Sequence, residues 1–156
     1  MVAFHTAETN LRDEVELALI QSITPAHEPG LRFHSVRGDP KAGYYDHDEE
    51  DRSPRFFEIG PAYGHEDTYV GAGVIGEKVT HDIVVVYPNG GSEDWRAAAA
   101  GDARAIKIYF LKTPTAVSGV QQRRLDPEAE YSIEESDEDE TIILTLPLMV
   151  HYEYTG

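Results

Sequence analysis

The sequence predicts an α+β domain: a mixed, mostly antiparallel sheet with two amphipathic helices packed on one face. Three observations lead there. Apolar residues recur at helical steps near the start and again past residue 94. They alternate at period two in the last stretch. The strand-like runs cluster between and after the helices instead of alternating with them one by one. At 156 residues the chain fits one domain, 1–156, carrying a long acidic loop at 38–54.

Leu11, Val15, Ala18, Leu19, Ser22 and Ile23 form the apolar stripe of the first helix, with Arg12, Asp13, Glu14, Glu16 and Gln21 turned mostly away. Thr6 or Thr9 is the expected cap, Glu8, Asp13 and Glu14 suit the positive end of the helix dipole, and Thr24-Pro25 ends the helix. Strands are expected over 31–37, 56–60 and 79–87, the last (VTHDIVVVY) being β-branched and central. The Gly-rich run 64–76 reads as a loop or a loose hairpin arm. A second helix is capped by Ser92 and buries Trp95, Ala98, Ala99, Ala103, Ile106 and Phe110, until Thr113-Pro114 stops it. Residues 117–125 (VSGVQQRRL) read as a polar strand facing solvent or an interface, and 130–135 as another strand. In 141–154, Ile142, Leu144, Leu146, Leu148, Val150, Tyr152 and Tyr154 alternate onto one face. Pro147 cannot donate to a ladder, which predicts an edge strand or a bulge there.

There are 29 acids against 13 Lys plus Arg, a net charge of −16. Such a surface repels nucleic-acid phosphates and anionic membranes. The only lysines are Lys41, Lys78, Lys107 and Lys112, a pattern that suits either a high-salt source or an ordinary acidic protein. Without cysteine, disulfides and thiolate metal sites are excluded. No signal-like start and no membrane-spanning run is visible, so a soluble chain made in the cytoplasm is expected.

Motifs for catalysis are missing from the sequence. Asp46-His47-Asp48-Glu49-Glu50-Asp51 fails as a calcium loop, since its sixth residue is Asp51 and its twelfth is Phe57. A solvated acidic loop is the better reading. There is no His-Glu-x-x-His and no Gly-x-Ser-x-Gly. Gly71 to Gly76 is followed by a strand, not by the helix that a dinucleotide site needs. His81 reads as a satisfied or exposed strand residue, and His65 as a loop residue. Acid pairs such as Glu134-Glu135 sit in solvated surroundings. No catalytic, cofactor or metal residue is therefore nominated. Arg123-Arg124 point to opposite faces of a strand, either as exposed charges or with one arginine reaching an acidic neighbouring subunit.

The order of elements resembles the tail terminator proteins of long-tailed bacteriophages and related archaeal viruses. The matching pieces are Thr9 to Ile23, VTHDIVVVYPNG at 79–90, DWRAAAAGDARAIKIYFLK at 94–112 and TIILTLPLMVHYEY at 141–154. The long loop and the extreme acidity depart from an average member. The resemblance implies a hexameric ring at the head-proximal end of the tail tube, located in the virion and assembled in host cytoplasm. It also implies the tail tube protein and a head-side connector as partners, with genomic DNA passing through unbound. A polar strand can extend a neighbour's sheet, which nominates Val120, Gln122, Arg123 and Arg124 as subunit interface. Channel-facing or partner-facing acids would be Asp46, Asp48, Glu49, Glu50, Asp137 and Glu138. Another neck or tail-completion protein is the rival within this class. A small acidic halophilic enzyme or a ligand-binding domain is the rival outside it.

Overall fold

The computed structural model describes residues 1–35, 54–89, 94–126, 130–136 and 141–156. Two strands of 15 residues form its spine: β4 (Val74–Pro88) and β7 (Thr141–Thr155). They pair antiparallel along their whole length, from Val74 opposite Thr155 to Pro88 opposite Thr141. On its other side β4 carries β2 (Phe56–Ile59) at one end and β3 (Tyr63–Gly71) at the other, both antiparallel. On its other side β7 carries β5 (Val120–Leu125) and β6 (Ser132–Ser136). The short β1 (His34–Ser35) adds parallel to β2. The result is a seven-stranded, mostly antiparallel sheet.

Both helices, α1 (Phe4–Leu17) and α2 (Trp95–Lys112), lie on one face, so the fold is α+β as expected. Period-two alternation supplies the core. Val79, Ile83, Val85 and Tyr87 of β4 face the helices together with Ile142, Leu144, Leu146, Leu148, Val150 and Tyr152 of β7. The helices answer with Ala7, Leu11 and Val15 of α1 and with every residue of the expected α2 stripe.

Several expectations are corrected. The first helix begins at Phe4 with Ala3 as a cap that makes no side-chain bond, not at Thr6 or Thr9, and it has no acid in its first turn. Tertiary packing decides this start: Ala7 is fully buried, and Phe4 meets the rings of Tyr152 and Tyr154 edge-on. The helix ends in a π-type turn, Ala18–Ser22, before Thr24-Pro25. Glu16 is buried rather than turned away, while Ser22 is exposed. The cap of α2 is Asp94, which accepts from the Ala97 amide at 3.1 Å; Ser92 lies outside the described residues.

Pro147 is not on an edge strand. It sits opposite Asp82 in the middle of the sheet. Its carbonyl accepts from the Asp126 amide at 2.9 Å, so its donor-less nitrogen also faces that side of β7. That point is the gap where β5 has ended and β6 has not begun. A proline there removes no hydrogen bond from the long β4 ladder.

Candidate functional site

Three interior polar networks tie the layers together. Asp102, on the buried side of α2, receives Arg55 Nε at 2.7 Å, Arg55 Nη2 at 3.2 Å and the Tyr87 hydroxyl at 2.7 Å. Arg55 spends its remaining donors on the carbonyls of His27, Glu28 and Leu31. Its guanidinium also lies against the Phe33 and Trp95 rings. Burial, then the neighbouring Asp102, pushes the Tyr87 hydroxyl well above its ordinary pKa, so it remains a donor.

The second network joins α1 to β5. Arg123 donates to Glu14 at 2.8 Å and to the Thr113 carbonyl at 2.7 Å, over the Phe110 ring. The third fills the point where β2 peels away from β4. The carbonyl of Ile59 takes Arg12, and that of Gly60 takes both Arg12 and His81 Nδ1. His81 Nε2 accepts from the Tyr152 hydroxyl at 2.8 Å, so both ring nitrogens are used and the neutral ring carries its proton on Nδ1.

Burial lowers the His81 pKa below the ordinary histidine value, with Arg12 and His65 pushing the same way against Glu8 and the Gly60 hydrogen bond. The unfolded chain therefore binds this proton more readily than the folded one. Stability from His81 is fully present above the unfolded pKa of about 6.5 and declines as pH falls toward the lowered folded value. Denaturant melts between pH 7 and pH 5 should show a loss approaching a limiting slope of ~1.4 kcal/mol per pH unit. His81→Gln should flatten that slope. An unchanged slope would mean that other groups set it.

The outward-facing features are more unusual. All nine residues of β3 are exposed, among them Tyr63, Tyr69 and Val70. With the first part of β4, itself paired to β7, they form a hairpin arm at the border of the sheet, turned at Ala72-Gly73, both at positive φ. Gly76 makes the arm's register possible: a Cβ there would stand 2.4 Å from Tyr69 Cε1. Without it, the Tyr69 ring crosses β4 and its hydroxyl reaches Glu153 on β7, which also takes Gln121 of β5. Thr68 bonds His151 at 2.9 Å beside this pair. His65 lies on the arm, not in a loop, with Nδ1 2.5 Å from Glu77. The Tyr154 hydroxyl donates to the other Glu77 oxygen. Burial and then Glu77 push Tyr154 up to about 12.

No protein-family model matches this chain, and no similar sequence was found among the curated proteins.

The nominated interface residues separate. Gln122 and Arg124 are exposed on β5, which is an edge strand at this end of the sheet. Val120 and Arg123 face the helices and are buried at 8% and 4% exposure, so neither offers a side chain to a neighbour. The opposite-faces reading of the doublet holds. Its inner arginine, however, reaches Glu14 of the same chain. The nominated acids Asp46, Asp48, Glu49, Glu50, Asp137 and Glu138 lie outside the described residues. Among the described residues, no three His, Asp or Glu side chains converge to hold a metal.

Proposed function

We propose that this chain is a structural virion protein. It forms a ring at the head-proximal end of a viral tail tube, stops tube growth and joins the tail to the head-side connector. The edge arm supports this reading. A fully exposed strand bearing Tyr63, Tyr69 and Val70 at the border of a sheet is a surface made to be covered. The same end of the sheet has β5 as its other border. Identical copies that use two unlike borders associate head to tail, and such contacts close into rings when the rotation allows. A −16 chain around a channel repels DNA phosphates and lets a genome slide through.

The test uses electron microscopy of the full chain mixed with tubes polymerised from the tail-tube protein of the same genome. One ring is expected on one end of each tube, with no further elongation. Tubes that grow unaltered, with no ring at either end, would refute the reading.

A further inference from the structure

The acidity of this chain is not uniform. On α2, Arg104, Lys107, Ile108 and Leu111 stand at i, i+3, i+4 and i+7, which aligns them on one helix face. That face is opposite the buried stripe, and Ile108 and Leu111 are 49% and 73% exposed. One groove joins Arg104 and Lys107 to Leu125 at the end of β5. A second joins Leu111 and Lys112 to Gln122 and Arg124. Asp126 and Glu130 line the first groove. Even so, Arg104, Lys107, Lys112 and Arg124 make no ion pair with any described carboxylate. In a chain with 29 acids, this flank gathers four cations around two exposed aliphatic side chains, against the two acids of the first groove.

The other border of the same half of the sheet is the β3 arm. It carries Glu66 and Asp67 next to Tyr69 and Val70; with Lys78 opposite Glu66 and Glu77 opposite Asp67, three acids stand against one lysine, so the arm complements the flank in charge and in apolar character. We propose that the α2–β5 flank is a docking surface for the β3 arm of a second copy of this chain. This deepens the ring reading and rests on it for closure.

The directions agree. Each neighbour in the order β3, β4, β7, β5 is antiparallel, so β5 runs opposite to β3. A copy repeated alongside thus continues the antiparallel pattern. The β3 ladder shifts register twice and the β5 ladder once, which shortens any strand addition. Side chains therefore carry the contact: Ile108 and Leu111 supply the apolar centre and the four cations the rim. Unlike charges at the rim also overcome the general repulsion between −16 chains and set the register.

The experiment is light scattering on the full chain and three charge-reversed forms at matched ionic strength. R104E/K107E puts acids against the acidic arm, and E66K/D67K puts cations against the basic flank. Each should weaken self-association about tenfold or more, because like charges then face each other. The form with all four reversals should recover it. Should a reversed form lose its far-UV circular dichroism, R104Q/K107Q takes its place, with a smaller weakening expected. A monomeric wild type, a wild type that binds only an unrelated acidic protein, or assembly indifferent to the four charges would overturn the proposal. Charge-dependent assembly that never caps a tail tube would sink the tail reading alone. Capping by a ring indifferent to these charges would sink the docking surface alone.

Discussion

Asp102→Ala is expected to destabilise the fold by about 3–5 kcal/mol, the usual cost of removing one partner from a buried ion pair. Arg55 and Asp102 are 0% and 1% exposed, so water cannot replace the lost carboxylate. Two groups lose their acceptor at once, the Arg55 guanidinium and the Tyr87 hydroxyl. The charge cannot be relieved by deprotonation, because arginine keeps its proton throughout the accessible pH range. Arg55 also holds three carbonyls of the 27–31 segment. Strain at that segment should therefore appear as faster local hydrogen exchange. Urea melts measure the total. Arg55→Met with Asp102→Leu should recover part of the loss, since an apolar pair leaves no charge stranded. The three carbonyls would still lack donors, so recovery stays incomplete. A loss under 1 kcal/mol for Asp102→Ala would mean that the network is not closed to water.

Gly119→Ala is expected to cost about 2–5 kcal/mol. Gly119 has φ +88, a conformation that disfavours any side chain by ~1–2 kcal/mol. Its added Cβ would stand 2.4 Å from the Ala7 Cβ and 2.8 Å from Val2 Cγ2. Ala7 is fully buried in the first turns of α1, so relief requires the helix itself to move, at ~1–3 kcal/mol for overpacking. The Gly119 carbonyl takes the Glu153 amide at 2.9 Å, which couples the shift to β7. Thermal melts of this variant beside Gly101→Ala give the contrast. Gly101 has open space around its Cβ position and lies within α2, so alanine there should stabilise by up to ~1 kcal/mol.

The last strand, α2 and the 79–87 part of β4 were legible because each obeys a single pattern along its length, whereas the glycines of 64–76 hid β3 and the start of β4. Every even residue from Ile142 to Tyr152 is buried, as simple alternation requires. The first turn of α1 was not legible, since Phe4 is held by rings some 150 residues away in sequence. The place of Pro147 was likewise hidden. Proline does mark a missing ladder partner, but a gap between two short strands satisfies that condition inside a sheet as well as an edge does.

Less of the candidate surface was readable. Asp102 falls on the buried stripe of α2, and a carboxylate at that position signals a buried cation somewhere in the chain. Nothing local says that the cation is Arg55. The second stripe of α2, at Arg104, Lys107, Ile108 and Leu111, obeys the same helical period as the first. It was masked by reading the helix for one apolar face only. Arg123 shows the opposite limit: it faces inward with Val120, three residues away, only because the ladder shifts register between Val120 and Gln122, and only the fold reveals Glu14 there.

Sedimentation velocity of the unmodified chain over a wide concentration range tests the central claim most directly. The head-to-tail account expects one discrete large species near six times the 17.4 kDa subunit, with nothing heavier as concentration rises. A monomer at every concentration, or a continuous ladder of ever longer polymers, would contradict it.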